Sequence, residues 1–548
     1  MSLRKSRILG CGTLPGDRGR RFQRLPAAFL ATALAACQAA APPGTIGSVE
    51  GFAGAAAADE PRAVLTARDI LGAGGSAADA AVALYFTLAV TMPSTAGLGG
   101  GGVCVVHDRA AKRTVAIDFL PRAAPGGGVA LPGNVRGMAL LHARYGRLAW
   151  AELVIPAERL ARFGTPVSRA LARDLATAEG KLLVDPQTRR IFAGTDGRLL
   201  DEGDGLRQVE LATTLGQIRQ KGAGVFYAGP LAQTLAEAAR SIGVPLTVEA
   251  LRAVMPELRE TVEVAFGNHS VHFAPPPAAG GLVAAQLFAM MAESPRFADV
   301  AAEPWPHLLV EAAKRAFAER SRWMLLDGAS AEPWADLVSP AHAGRLMQSY
   351  DDARATPPTA FEPPPIARPE NPWAAGFVVA DADGGAVACN VTLNTLFGSG
   401  RMAPGTGILL APAPDELGVD ALSLGPMIMA NAPTGEFYYA AAGSGGPAAP
   451  TALIAVFLRA VVAGEPLEAA LRAPRLHHNG VPDVVFHEAD AAPAILAALA
   501  RRGHRLRETG ILGRVNAIWC ADALPRSPRS CQAQSDPRGS GLATLLAE

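Results

Sequence analysis

The chain alternates two kinds of hydrophobic pattern after residue 49. Residues 77–90 are mostly helix formers, and residues 307–317 place their leucines and alanines at helical spacing, so both segments predict helices with a core-facing side. Residues 103–107 and 114–119 are short runs rich in β-branched residues and predict strands. The pattern therefore predicts a mixed chain of helices and strands.

A proline-rich segment divides the chain. Residues 356–372 contain seven prolines, which cannot continue a helix or a central strand, so this segment is predicted to be a linker or an exposed loop. Beyond it, residues 377–380 and 386–393 flank Asp-Ala-Asp-Gly-Gly, a sequence typical of a β-hairpin turn. No internal repeat is recognised.

Composition excludes several classes of protein. The 548 residues are 49% hydrophobic and 18% charged, so the chain can bury a sizeable core. Basic and acidic residues both number 50, and the resulting net charge of zero supplies no general attraction to nucleic acid. We therefore predict no nucleic-acid partner. One large domain and several smaller ones both fit this length.

Familiar motifs for cofactors and metals are missing from the sequence. It has no P-loop, no HExxH and no GxSxG, and its six cysteines lack the spacing of a zinc site. Residues 97–102 contain GxGxxG, but a β-rich run follows them where a nucleotide site needs a helix. His477 and His478 are neighbours that point to different sides, so a structural role is favoured. We predict no metal and no cofactor.

The N-terminus resembles an export signal. Four arginines precede an apolar stretch at residues 25–36 that is too short to span a bilayer. The stretch ends in Leu-Ala-Ala-Cys, which is similar to a bacterial lipobox. We therefore predict that residues 1–37 form a signal peptide with a lipobox, that Cys37 carries a lipid, and that the protein is periplasmic and touches the membrane only through this anchor. An ordinary signal peptide is the alternative. In an oxidising compartment Cys520 and Cys531 are close enough in sequence to form a disulfide.

Three glycine clusters lie far apart in the sequence, at residues 97–102, 280–281 and 443–446. Such turns allow backbone N–H groups to approach the oxygen of a ligand. Tight turns in a glycine-rich protein are the alternative.

Several motifs resemble the γ-glutamyltranspeptidase family and occur in the family's order. They cover nearly all of the chain from about residue 48. The motifs are GGSAADAAV at 74–82, GLGGGG at 97–102, LPGNVRG at 131–137, PPPAAGG at 275–281, TLN at 392–394, PRLHH at 474–478 and DPR at 536–538. The resemblance implies an α+β fold, the four-layer αββα sandwich of N-terminal-nucleophile hydrolases. It also implies a precursor that cuts itself, with residues 38–373 matching the large subunit and residues 374–548 the small subunit.

The resemblance also implies a mechanism and a set of site residues. In the family the cut exposes a threonine whose hydroxyl attacks a γ-glutamyl amide, as in glutathione, with its own amino group as base. Thr392 matches the threonine that supports this nucleophile, and Asn394 matches an asparagine that contacts substrate. Gly445 and Gly446 match the pair that holds the oxyanion.

The sequence departs from the family at the nucleophile itself. Counting back from Thr392 without a gap places Ala374 at the nucleophile position, and no Ser, Thr or Cys occurs between Asn371 and Ala388. A methyl group can neither attack a carbonyl nor start the acyl shift that cuts the precursor. In a serine hydrolase, loss of the nucleophile costs on the order of 10⁶ in turnover. We therefore predict an uncleaved chain with little or no catalysis.

The predicted substrate-binding residues are also altered. The family's carboxylate-binding arginine would follow Phe119, where Leu120 stands and Arg122 is displaced by two residues. The residue that binds the α-amino group maps onto Asp415 or Glu416. The family's paired serines map onto Ser423 and Leu424.

Three hypotheses follow from the sequence. The first is a non-catalytic homologue that binds a γ-glutamyl peptide or another small peptide in the inherited cleft. The second is an active hydrolase or transferase with an unrecognised nucleophile, for which Thr392 is the nearest candidate. The third is a structural partner of an active homologue. The sequence does not determine the oligomeric state.

Overall fold

The computed structural model describes residues 51–546 apart from 295–296, 298, 300–303, 326–327, 363, 366–369 and 415–422. Residues 48–548 form one unit. The predicted signal peptide and Cys37 lie outside the described residues, as do Asp415 and Glu416.

Two antiparallel sheets form the centre of this unit. The first sheet has its strands in the spatial order Leu542–Leu546, Gly54–Ala58, Ala375–Asp381, Ala386–Thr392, Gly101–Asp108, Arg113–Phe119 and Glu257–Glu260. The second sheet has the order Cys531–Gln534, Arg514–Leu524, Phe437–Ser444, Met427–Asn431, His269–Phe273 and Val262–Phe266. Each neighbouring pair is antiparallel.

Successive side chains of the strands belong alternately to two buried clusters, and this alternation defines the layers of the fold. Val378 and Ala380 of the first sheet belong to a buried apolar cluster that also contains Ala440 and Ala442 of the second sheet; we call it the intersheet cluster. Their neighbour Val379 belongs instead to the cluster beneath the outer helices. Because successive side chains of a strand point to opposite faces, each sheet has one face toward the other sheet and one toward helices. The result is the αββα sandwich that the family resemblance implied.

Helices cover the outer face of the first sheet. Ala77–Thr91 is buried throughout, and Ser76 and Asp79 form a capping box at its start. The helices that contribute to this layer are Pro61–Gly72, Ala77–Thr91, Asn134–Tyr145, Trp150–Phe163, Val209–Lys221, Gly224–Tyr227, Pro230–Ser241 and Val248–Ala253.

A second helical layer covers the outer face of the second sheet. Its α-helices are Ala279–Ala292, Trp305–Trp323, Trp334–Leu337, Pro340–Met347, Ala448–Phe457 and Leu467–Arg472, and Leu458–Val462 is a π-helical turn. The predicted helices at 77–90 and 307–317 are therefore confirmed. Every helix within the described ranges is too short or too polar to cross a bilayer.

Shorter elements pack around this sandwich. Two-stranded sheets pair Arg122–Ala123 with Ala130–Leu131, Thr165–Pro166 with Gly205–Leu206, and Met402–Ala403 with Ile408–Leu409; a three-stranded sheet contains Leu476–His477, Val485–His487 and Leu506–Glu508. The remaining helices are Pro93–Ala96, Arg169–Thr177, Glu179–Leu182, Pro186–Phe192 and Pro493–Arg501, and the 3₁₀ turns are Pro358–Ala360 and Pro528–Ser530.

The predicted hairpin and the chain's two halves meet in the first sheet. Ala375–Asp381 pairs with Ala386–Thr392, and Gly384 in the connecting turn has φ +86°. Strands from both sides of the 373/374 junction lie next to each other, since Ala375–Asp381 also pairs with Gly54–Ala58. This junction therefore does not separate two domains.

Two disulfides join strands that are directly paired. Cys520 bonds to Cys531, which was one possibility left open by the sequence. Cys104 bonds to Cys389, and sequence spacing gave no sign of it because 285 residues separate the two. This second disulfide links the two halves of the chain.

Candidate functional site

Ala374 lies between the two sheets. It directly precedes Ala375–Asp381, is 1% exposed and belongs to the intersheet cluster. A Cβ placed on Gly376 would be 3.2 Å from the Ala442 Cβ, and one placed on Gly446 would be 3.5 Å from the Pro372 Cα. The two chain segments thus run past each other in opposite directions, and Ala374 and Ser444 each lie midway in sequence between these two contacts.

The carbonyl that precedes Ala374 is held by two donors. The Thr392 hydroxyl donates to the Trp373 oxygen at 2.7 Å, and the Asn371 side-chain amide donates to the same oxygen at 2.9 Å. The Asn371 amide also contacts the Thr392 Oγ1 at 2.9 Å. Two donors at one carbonyl oxygen polarise it and would stabilise a negative charge on that oxygen.

Thr392 and Asn394 are joined to each other. The Asn394 backbone N–H donates to the Thr392 Oγ1 at 3.0 Å, and Asn394 has a φ of +64°. The Asn394 side-chain amide donates to the Pro412 carbonyl at 2.9 Å, while its Oδ1 is buried without a hydrogen-bond partner among the described residues. Thr392 therefore has its hydroxyl engaged on the intact chain, and Asn394 retains one free acceptor.

Gly445 and Gly446 form a turn between a strand and a helix. Their φ angles are +121° and +61°, and helix Ala448–Phe457 follows directly. Neither backbone N–H has an acceptor among the described residues. Free N–H groups at a helix N-terminus attract a negatively charged oxygen. The geometry thus suits the oxyanion role that the resemblance implied for these two glycines.

The other two glycine clusters allow close backbone contacts with Thr392, Leu120 and Ser423. A Cβ on Gly100 would be 2.0 Å from the Thr392 carbonyl oxygen, and one on Gly101 would be 2.8 Å from the Leu120 carbonyl carbon. A Cβ on Gly280 would be 2.4 Å from the Ser423 carbonyl oxygen. These glycines let neighbouring backbones touch, and the GLGGGG run holds the strands of the site together.

The positions that would bind the glutamyl head group are mostly apolar. Leu424 belongs to the same intersheet cluster as Ala374, and Leu120 packs against that cluster. Arg122 already has carboxylate partners, since its guanidinium lies 2.9 Å from Asp118 and 3.3 Å from Glu257. A charged ligand head buried among these apolar side chains would have no partner, which is energetically costly.

Ser423 is the polar exception. It is 5% exposed, and its Oγ has no hydrogen-bond partner among the described residues. Its backbone packs on Gly280. The structure thus places Ser423 beside the Gly280–Gly281 cluster, and its role in binding substrate stays a prediction; Asp415 and Glu416 lie outside the described residues.

Sequence reasoning missed two residues of the site, Ser444 and Arg514. They are directly opposite each other on paired strands, and their exposed fractions are 2% and 8%. Ser444 directly precedes Gly445 and Gly446 in the sequence, and this position could have identified it as a candidate site residue. Arg514 gave none, because only the pairing of the two strands brings it there.

A buried ion pair between Arg475 and Asp536 holds the segment that packs against the glycine turn. Arg475 donates to the Gly513 carbonyl at 2.6 Å and pairs with Asp536 at 2.5 Å. A Cβ on Gly445 would be 2.6 Å from the Gly513 Cα. Burial lowers the pKa of Arg475, and Asp536 opposes this shift. The PRLHH and DPR motifs thus position the segment that carries Gly445.

The histidines have structural partners. His477 accepts or donates a hydrogen bond at 3.0 Å with Thr451, and burial lowers its pKa to about 3, so its ring is neutral near pH 7. His307 and His504, which are distant in sequence, lie 2.8 Å apart and close to Glu311. This carboxylate is already paired with Lys314 at 3.2 Å and with Arg315 at 2.6 Å. The two cations make this group a poor site for a metal ion.

The sandwich and its glycine turn define the class of the protein, an N-terminal-nucleophile hydrolase fold. The family model of γ-glutamyltranspeptidase matches residues 63–546. The chain therefore belongs to the γ-glutamyltranspeptidase family.

Individual relatives agree with this assignment. The chain is 30% identical to the glutathione hydrolase proenzyme of Escherichia coli K12 over 495 residues, covering 82% of this chain and 85% of the relative. It is 30% identical to the glutathione hydrolase proenzyme of Pseudomonas aeruginosa over 545 residues, covering 90% and 94%.

Solved structures agree with the fold. The cephalosporin acylase of Bacillus halodurans superposes with a TM-score of 0.77 at 25% identity, covering 92% of this chain and 98% of that chain. The γ-glutamyltranspeptidase of Helicobacter pylori has a TM-score of 0.52 at 28% identity, covering 57% and 94%.

Proposed function

We propose that this chain is a non-catalytic member of its family that stays uncut. The observation that carries the proposal is Ala374, a methyl group at the position of the nucleophile, followed without a break by strand Ala375–Asp381. Thr392, the nearest hydroxyl in the sequence motif, has its oxygen engaged by Trp373, Asn371 and Asn394. Within the part of the chain that the structure describes, its hydroxyl has no hydrogen bond to a carboxylate, a histidine or an amine that could take its proton.

We further propose that the inherited cleft binds a small peptide or a related ligand. The free N–H groups of Gly445 and Gly446, the Ser423 hydroxyl and the Asn394 Oδ1 support this proposal, since buried polar groups without partners are costly unless something pairs with them. Leu120 and Leu424 argue against a free glutamate as the preferred ligand.

The mass of the mature protein tests the first proposal. We expect one polypeptide on a denaturing gel and no release of glutamate from glutathione above background, because no hydroxyl is available at residue 374. The same mass measurement tests the proposed export and lipid anchor, since a processed and acylated chain begins at Cys37.

The E. coli glutathione hydrolase proenzyme, treated in parallel, is the control for the assay. Two fragments with a new N-terminus at a Ser, Thr or Cys would contradict the proposal. A normal rate of glutathione hydrolysis would contradict it as well.

Ser444 supports a second candidate function, an amide hydrolase with a displaced nucleophile. Ser444 directly precedes the Gly445 and Gly446 turn, in the segment that runs past the segment of Ala374. The Oγ has no hydrogen-bond partner among the described residues, so no base is in place to take its proton. The geometry therefore favours the non-catalytic proposal.

A Ser444→Ala variant separates these two functions. We expect its background release of amine from glutathione and from γ-glutamyl-p-nitroanilide to equal that of the unmodified chain. A loss of measurable turnover in this variant, with an unchanged melting temperature, would establish Ser444 as a nucleophile.

A further inference from the structure

A buried guanidinium in the site lacks a protein partner. Arg514 is 8% exposed and begins the strand Arg514–Leu524. Its side chain has no hydrogen bond and no ion pair with any described residue, although the other buried arginines of the site region, such as Arg475, are paired. Two buried carboxylates lie at longer range: Asp174, with which Arg514 interacts electrostatically, and Asp59, whose Oδ1 lies near Gly539 as the Arg514 Cδ does. Neither makes a direct hydrogen bond to the guanidinium, so its N–H groups are left for a ligand.

Other hydrogen-bond donors lie close to Arg514. Ser444 is the direct cross-strand neighbour of Arg514, and side chains of such a pair lie about 5 Å apart on one face of a sheet. The Ser444 Oγ is also unpartnered among the described residues, and the residue is 2% exposed. The free N–H groups of Gly445 and Gly446 follow Ser444 in the chain and precede Pro447, the N-cap residue of helix Ala448–Phe457.

We propose that Arg514, Ser444 and the Gly445–Gly446 turn bind a carboxylate. A guanidinium and a carboxylate are planar and match in a two-point hydrogen bond, while the hydroxyl and the backbone N–H groups can take the remaining lone pairs. The inference rests on the proposed function, because a site without a nucleophile can hold an acid as a resident ligand.

The surroundings indicate what the rest of the ligand is like. Ala374, Leu424 and Ala278 belong to the intersheet cluster, and Leu120 packs against it. An apolar chain attached to the carboxylate would contact these side chains, and a second charged group would have no partner among them. The part of the ligand next to the carboxylate is therefore apolar, as at the C-terminus of a small peptide that ends in an aliphatic residue, and hexanoate represents this part.

Calorimetric titration of the mature chain with hexanoate tests this inference, with hexanamide and inorganic phosphate as comparison ligands. We expect hexanoate to bind, and Arg514→Gln and Ser444→Ala each to weaken its binding, by about 10- to 100-fold for Arg514→Gln. Arg159→Gln, on the exposed side of helix Trp150–Phe163, is the matched control and should leave binding unchanged.

Several outcomes would overturn the inference. They are no binding of hexanoate, equal binding of hexanoate and hexanamide, equal binding of phosphate, and an Arg514→Gln variant that binds like the unmodified chain. If Arg514→Gln lowers the melting temperature of the ligand-free protein, Arg514→Lys and Ser444→Ala carry the test.

This test is separate from that of the proposed function. If the uncut chain binds no carboxylate, the inference fails and the lack of catalysis stands. If the protein proves to be cut and active while hexanoate binding still depends on Arg514, the inference stands and the proposed function fails.

Discussion

An Ala374→Thr variant is expected to cut its own chain between residues 373 and 374. The Trp373 carbonyl oxygen already accepts hydrogen bonds from Thr392 and Asn371, and these donors would stabilise the negative charge that forms when a hydroxyl attacks this carbonyl. Residue 374 itself offers a methyl group where the attack needs a hydroxyl. Restoring a nucleophile recovers a factor on the order of 10⁶ in rate in a well-studied hydrolase, so the change should take cleavage from undetectable to measurable.

Mass spectrometry of the fragments measures this result, because the smaller fragment must begin with the introduced threonine. Ala374→Val is the matched control, since valine has the shape of threonine without its hydroxyl. The double variant Ala374→Thr with Thr392→Ala should cut more slowly, because one donor to the carbonyl is lost. A folded Ala374→Thr protein that stays whole after prolonged incubation would show that the cutting machinery is not retained.

A Glu311→Gln variant is expected to lose about 3–5 kcal/mol of stability. Glu311, Lys314 and Arg315 are each at most 1% exposed, and the carboxylate lies 3.2 Å from Lys314 and 2.6 Å from Arg315. Removing its charge leaves Lys314 with Asp483 at 3.6 Å as its remaining carboxylate partner among the described residues, and Arg315 with uncharged hydrogen-bond partners. Denaturant unfolding of both proteins at pH 7 measures the difference.

The same carboxylate gives a pH dependence with a definite sign. Burial alone would raise the pKa of Glu311, but Lys314 and Arg315 outweigh it and lower the pKa to about 2 from a usual value of 4.5. The stabilisation is therefore fully present above pH 4.5 and is lost as the pH falls toward 2.

The difference in unfolding free energy between the unmodified chain and Glu311→Gln should shrink over that interval. Glu260→Gln is the control, because Glu260 pairs with Arg113 at the surface, where both side chains are more than half exposed and the charge is screened by solvent. A Glu311→Gln protein as stable as the Glu260→Gln protein at pH 7 would contradict the argument.

Local patterns were sufficient for the elements and the fold class. Residues 377–380 and 386–393 predicted a hairpin because alternation and an Asp-Gly turn act over a few residues. The order of the family motifs predicted the αββα sandwich and placed Thr392, Asn394 and Gly445–Gly446 in one site. The absence of a nucleophile is also a property of the sequence, since no fold can supply a hydroxyl to Ala374.

Long-range pairing decided the rest. The Cys104–Cys389 disulfide joins residues 285 positions apart, and it exists because their strands are neighbours in the first sheet. Arg514 enters the site because strand Arg514–Leu524 pairs with strand Phe437–Ser444. The sequence by itself determined that residue 374 carries no hydroxyl, because that depends on the identity of one side chain. Only the tertiary structure decided which charged and polar groups now face the place of that side chain, because sheet register and burial are set by contacts between distant parts of the chain.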